Sequence, residues 1–127
     1  MVWVVLLTDE VANWLAELNK EDPESAVRVA AAIEMLKEHG PALDRPLADT
    51  IKGSRIANLK ELGPGSSGRQ KIRILFVFDR WRQAVLLVAG DKSGDWQGWY
   101  KSAIELAERL YDEHLRTQGE AGEGHTR

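Results

Sequence analysis

Cysteine is missing from all 127 residues. That removes a disulfide framework, a thiol nucleophile and a thiolate metal site at once, and it suits a reducing cytoplasm. Long hydrophobic runs are missing too. The most apolar N-terminal stretch, Val2–Leu7 (VWVVLL), falls far short of the roughly 20 residues that a membrane-spanning helix needs. No basic residue precedes it and Asp9 and Glu10 follow it closely, so neither an anchor nor a signal peptide is expected, and a buried strand is. Histidine is scarce. His39, His114 and His125 are far apart, with no HxxxH or clustered His/Asp spacing, so no metal or other cofactor is expected.

Positive charge does not predominate, since 17 Lys/Arg stand against 20 Asp/Glu for a net charge of −3. The distribution is uneven, however. Residues 1–44 hold 3 basic and 9 acidic side chains, residues 45–101 hold 11 and 5, and residues 102–127 hold 3 and 6. A basic middle with net charge +6 is thus flanked by acidic ends of −6 and −3. The local field, rather than the total, decides where a polyanion docks. The competing reading is a set of Glu-rich helical surfaces beside Arg-rich strand surfaces.

Local patterns give the order of elements. After the first strand, Thr8 is placed to cap a helix whose apolar residues Val11, Trp14, Leu15 and Leu18 recur at helical spacing. Asp22-Pro23 starts a second helix, with Ala26, Ala30, Ile33 and Leu36 as its stripe and Gly40-Pro41 as its end. Residues 41–54 show turn chemistry and no sustained period, so a connecting loop is expected. Ile56–Leu62 reads as a short strand, and Gly63–Gly68 (GPGSSG) as a hairpin turn. In the next strand Ile72, Ile74, Phe76 and Phe78 alternate with Lys71, Arg73, Leu75 and Val77. Asp79–Gln83 turns the chain into the apolar strand Ala84–Ala89, and a helix follows from Gly98 with Ala103, Leu106, Ala107 and Leu110 on one face. There are no internal repeats. The expected class is α+β, in the order β-α-α-β-β-β-α: a small antiparallel-rich sheet packed on an N-terminal helical hairpin, its other face free for water or a ligand. Residues 1–116 form the expected domain, and 117–127 a disordered tail with nothing to bury.

The segments NLKELGPGSSGRQKIRILFVFD (58–79) and VLLVAGDKSGDWQGWYKSAIELAERL (85–110) carry a resemblance. An E-L strand, a turn, an arginine opening an apolar strand, an LLVAG strand, a lysine-bearing loop and an IELAxxR-type helix occur in that order. The chain therefore resembles the RelE/ParE superfamily of type II toxins, in its HigB-like, phage-derived branch, over residues 1–112. The resemblance implies a RelE-like fold and an endoribonuclease that cleaves mRNA in the ribosomal A site, inhibits translation and arrests growth. It also implies a cognate antitoxin, HigA-like with a helix-turn-helix, and operator DNA reached only through that antitoxin. Two alternatives stay open: a ParE-like gyrase inhibitor without catalysis, and a degenerate module that binds antitoxin but does not cleave.

RNA needs neither metal nor protein nucleophile for cleavage, because its own 2′-hydroxyl attacks the adjacent phosphorus; the protein aligns, moves protons and stabilises charge. Arg73 matches the family arginine, and a guanidinium can hold two phosphate oxygens; a solubilising arginine on an exposed strand is the other reading. Lys60, on the preceding strand, is a second candidate phosphate clamp. Glu61 is a general base or a structural residue. Lys92 matches the basic residues after the family's last strand. Tyr100 matches a tyrosine used for acid–base work or stacking, and otherwise anchors the helix. Lys71, Trp96, Trp99, Arg80 and Arg82 are the candidate RNA contacts: the tryptophans for stacking, the cations for steering. Two features depart from the family: the acidic total, and the lack of a well-placed histidine.

Overall fold

The computed structural model describes residues 2–64 and 71–125, with side chains to residue 119. The elements are β1 (Val4–Leu7), α1 (Asp9–Glu21), α2 (Pro23–His39), a 3-10 turn (Gly40–Ala42), β2 (Ala48–Thr50), β3 (Lys60–Leu62), β4 (Ile72–Phe78), β5 (Gln83–Asp91) and α3 (Trp96–His125). Thr8 caps α1 by accepting from the Val11 amide at 3.2 Å. Its hydroxyl also donates to the Leu87 carbonyl at 2.8 Å, tying the helix start to the sheet. Asp22 caps α2 through the Ser25 amide and hydroxyl, at 3.3 and 2.6 Å, with Pro23 in the first turn. Gly40 ends α2 at φ +53°, and the Trp3 indole occupies the space a β-carbon would need there. Each of these stops and starts follows from a residue that satisfies or frees a backbone group.

The five strands form one mixed sheet in the order β1-β5-β4-β3-β2. β1 pairs parallel to β5, and the other neighbours are antiparallel. The class and element order agree with expectation, with one addition: the segment read as a loop contributes the edge strand β2. Three residues are too few to show a period of two, so the strand left no pattern to read. The turn expected over Gly63–Gly68 lies, from residue 65 onward, outside the described residues. α3 begins at Trp96 and runs past Arg116 to His125, where a domain edge and a tail without structure were expected. Each added helical residue brings its own i→i−4 bond, so a nucleated helix can continue without apolar burial.

Alternation along β4 divides the core. Ile72, Ile74 and Phe76, with Leu62 and Leu86, pack on Val11, Val29, Ile33 and Leu36 of the helical hairpin. Leu75, Val77, Val85 and Leu87 pack on Ala103 and Ala107 of α3. Both faces of the sheet are therefore covered, and the expectation of one free face does not hold. α3 buries the second face because its Ala103, Leu106, Ala107 and Leu110 stripe needs an apolar partner. One part of that face that stays open is the corner where β3, the start of β4 and the end of β5 meet the N-terminus of α3.

Candidate active site

Four side chains meet at that corner. Register places Glu61 opposite Leu75, and Arg73 opposite Gly90. Facing residues in paired strands share a side, so Glu61 and Arg73 both point to the α3 face. Arg73 Nε lies 3.6 Å from Glu61 Oε1, and Nη1 donates to the Ile72 carbonyl at 2.8 Å. Gly63 makes room for the guanidinium, since a β-carbon there would sit 3.3 Å from Cζ and Nη1. Arg73 and Glu61 expose only 24% and 18% of their side chains, so Arg73 is a held, partly buried cation rather than a solubilising one. From α3, the Tyr100 hydroxyl donates to Glu61 Oε2 in a short hydrogen bond. Lys92 Nζ lies 5.4 Å from the centre of the Tyr100 ring.

The electrostatics separate the roles. Burial, and then the hydrogen bond and negative charge of Glu61, push the Tyr100 phenol well above its ordinary value of 10.0. Tyr100 therefore keeps its proton at neutral pH and orients Glu61; it is not a base. Lys92 moves the other way: loss of solvent, then repulsion from Arg73 and Lys71, hold its pKa below 10.5, with Glu61 opposing. A partly desolvated ammonium with a lowered pKa is a better proton donor than an ordinary surface lysine.

The loop carrying Lys92 is built locally. Its amide donates to the Lys71 carbonyl at 3.0 Å, and Asp91 Oδ1 accepts from Ser93 N at 2.8 Å and Lys71 N at 3.4 Å. Asp95 then caps α3 through the Gly98 amide at 3.0 Å, which aims Tyr100 back at the sheet. Two clefts flank the cluster. One, of about 370 Å³, is lined by Lys71, Lys92, Ser93, Gly94 and Trp96. The other, of about 450 Å³, continues from Glu61 and Arg73 past Gly63 to Arg45, Pro46 and Asp49.

Not every candidate lands here. Lys60 faces Phe76 in the register, so alternation sends it to the helical-hairpin side of the sheet, away from Arg73. Among the proposed RNA contacts, Lys71 and the 54%-exposed Trp96 border the first cleft. Trp99 is an anchor: it packs against the α3-side core and lies so close to Gly90 that a β-carbon there would meet its Nε1 at 2.5 Å. Arg80 and Arg82 sit in the turn beyond the opposite end of β4, whose Arg73–Phe78 span alone is roughly 17 Å at about 3.3 Å per residue. There Arg80 stacks on Trp81 at 4.9 Å and Arg82 on Trp3 at 5.2 Å, so neither joins the cluster. Arg45 and Asp49 were missed, because they stand in and beside the strand that left no pattern. Among the described residues, no group of three His, Asp or Glu side chains is placed to hold a metal ion.

The family model for phage-derived Gp49-like proteins matches residues 14–112. The chain is 39% identical over 118 residues to a candidate toxin, HigB3, of Mycobacterium tuberculosis (strain ATCC 25618 / H37Rv), covering 93% of this chain and 98% of that protein. This chain is a HigB-like member of the phage-derived Gp49-like family. A second candidate toxin of the same organism, HigB2, is 50% identical over 119 residues, which is 88% of this chain but 59% of HigB2. The chain thus spans somewhat more than half the length of that relative. No solved structure matches it. The matched family region contains all four clustered residues as well as Arg45 and Asp49. No helix among the described residues is long and apolar enough to cross a membrane.

Proposed function

We propose that this chain is the toxin of a type II toxin–antitoxin pair and a ribosome-dependent mRNA endonuclease, cleaving without metal through the RNA's own 2′-hydroxyl. The observation that carries this reading is the convergence of Glu61, Arg73, Tyr100 and Lys92 from four separate segments onto one partly open corner. Glu61 takes the proton from the 2′-hydroxyl, with one carboxylate oxygen fixed by Tyr100 and the other facing the attacking group. The 2′-oxygen then bonds to phosphorus and the bond to the 5′-oxygen breaks, leaving a 2′,3′-cyclic phosphate. Arg73 neutralises the non-bridging oxygens as charge builds on them, and Lys92 gives a proton to the departing 5′-oxygen. Trp96 and Lys71 hold a neighbouring nucleotide in the first cleft, by stacking and by charge. Tyr100 positions the base and touches no reacting atom.

A gyrase-inhibiting protein has no use for a carboxylate aligned between a phenol and a guanidinium, so that alternative lacks a feature to favour it. Primer extension on a translated mRNA, after expression of wild-type and Arg73→Ala chains, tests the proposal. Wild type is expected to give cuts in codon register, and Arg73→Ala to lose them by about 100-fold or more while keeping its circular dichroism and melting temperature. Undiminished cutting by a folded Arg73→Ala removes Arg73 from the site. A DNA-damage response without mRNA cuts from wild type overturns the nuclease reading.

A further inference from the structure

The cleft of about 450 Å³ on the β2 side of the candidate active site is built differently from the one at Trp96. Its lining sets two carboxylates, Asp49 and Glu61, against two guanidiniums, Arg45 and Arg73, so it offers a phosphate no net attraction. One wall is pinned to the sheet. The Gly63 amide donates to the Leu47 carbonyl at 2.7 Å and the Ala48 amide to the Asp44 carbonyl at 3.1 Å, while Leu47 packs on the hairpin-side core. Pro46 stays exposed at the rim. A side chain at position 63 would press on the Arg73 guanidinium, so glycine keeps the passage to Arg73 clear.

Register decides what faces this cleft. Asp49 stands directly opposite Glu61 on the paired strands β2 and β3, so both carboxylates share the α3 side of the sheet, with β-carbons about 5 Å apart. Like charges so placed are unfavourable, and each is offset separately. Tyr100 and Arg73 serve Glu61; Arg45 serves Asp49, its Nε 3.2 Å from Oδ2. The Thr50 amide donates to Asp49 Oδ1 at 2.8 Å. That hydrogen bond, and after it Arg45, hold the Asp49 carboxyl below its ordinary 3.8, so it is ionised at neutral pH. A carboxylate has about four acceptor positions, and one amide and one guanidinium nitrogen leave about two, one on each oxygen. The side chain is 45% exposed, so those positions can be reached.

The chemistry of the cut sets the direction of the strand, a step that rests on the nuclease reading above. Glu61 takes its proton from the nucleotide 5′ of the cut and borders the Asp49 cleft. Lys92 serves the 5′-oxygen of the nucleotide 3′ of the cut and borders the Trp96 cleft. The 5′ nucleotide therefore lies on the Asp49 side, and a ribose whose 2′-hydroxyl meets Glu61 brings its own base to the neighbouring carboxylate. Single-stranded RNA leaves the Watson–Crick edge of that base free to be read. Guanine alone carries two adjacent donors there, N1–H and N2–H, to match two carboxylate oxygens. Adenine and cytosine set a ring-nitrogen acceptor beside their amino group, and uracil flanks its one donor with carbonyls; an anion repels those lone pairs. Pro46 gives the base an apolar surface. We propose that Asp49, held in place by Arg45, reads the base immediately 5′ of the cut and selects guanine.

Sequencing the ends of fragments cut from a long translated transcript tests this, with base counts corrected for the transcript's composition at the same codon position. Wild type is expected to favour guanine at the last nucleotide before the cut by about tenfold. Asp49→Asn is expected to move that preference to adenine and cytosine, because an amide offers one acceptor beside one donor. Its melting temperature is expected to match that of wild type, since Asp49 is half-exposed on an edge strand. A merely structural role for Asp49 would lower all cuts together without changing the preferred base. Equal use of the four bases by wild type, or a guanine preference that persists in Asp49→Asn, overturns the assignment and leaves the nuclease reading standing. Guanine enriched only at the first nucleotide after the cut reverses the strand and also overturns it. An absence of cuts from wild type overturns the nuclease reading and this one with it.

Discussion

Glu61 is held from two sides: Tyr100 donates to one oxygen and Arg73 stands 3.6 Å from the other. Lys92 completes the set as the group whose protonation the surroundings alter most usefully. Loss of solvent is the larger influence, followed by the nearby charge of Arg73, and both disfavour the ammonium. The Lys92 side-chain titration, followed by NMR in the free protein, is expected to have its midpoint below the ordinary 10.5. Arg73→Ala is expected to raise that midpoint by removing a like charge; an unchanged midpoint would show that the two cations do not share one field. Arg73, Glu61, Tyr100 and Lys92, which meet at one corner, are the residues that the family resemblance singles out, and composition or periodicity alone does not distinguish Arg73 from a solubilising strand residue. The failure of Lys60 is equally physical. Lys60 and Glu61 are adjacent in the chain, and adjacent strand residues point to opposite faces, so only the register shows which of them accompanies Arg73.

The turn between β4 and β5 shows how a single buried carboxylate can lock an element. Asp79 Oδ1 accepts from the Trp81 and Gln83 amides, both at 2.9 Å. Oδ2 accepts from Gln83 Nε2 at 2.8 Å and meets His114 Nε2 of α3 at 2.7 Å. Burial alone raises the pKa of this carboxyl, but the bonds from His114 and Gln83 outweigh it, and the net position is below 3.8. A depressed carboxylate pKa contributes stability above the unfolded value, lost as pH falls through the folded one. Urea denaturation at pH 7 is expected to show His114→Ala destabilised by about 1–3 kcal/mol, the cost of taking one of two partners from a buried carboxylate oxygen. Wild type is expected to lose stability more steeply than Asp79→Asn between about pH 5 and about pH 2; parallel curves would mean that Asp79 is not the source. Nothing in the sequence links His114 to Asp79, because the 35 residues separating them hide the contact. The caps at Thr8 and Asp22 were legible because their partners lie three residues away.

The sheet acts as a wall with a different task on each side. The helical hairpin is acidic, grooved and apolar between its helices, while the α3 face carries the cationic corner; the sheet separates the acidic N-terminal segment from the cations, and the acidic C-terminal segment runs along α3 away from the corner. That separation explains how a chain of net charge −3 can still present cations to a polyanion, since the acidic ends are not where the cations converge. The basic block was visible in the order of residues. Its division into a partly buried anchor (Trp99), a distant turn (Arg80, Arg82) and the cluster at the corner was not, because that needs the register of β4 against β5 and the angle of α3. The far end of α3 belongs to neither side. Among the described residues, the α3-side core reaches Tyr111, and His114 secures the β4–β5 turn; no residue beyond Arg116 joins either core cluster or the candidate site. Truncation after Arg116 is expected to leave mRNA cleavage and growth arrest unchanged and to alter the urea midpoint by less than a His114→Ala substitution does. A soluble, cooperatively unfolding truncation that no longer cleaves would place a working surface on the last turns of α3, and the candidate site would then extend beyond its corner.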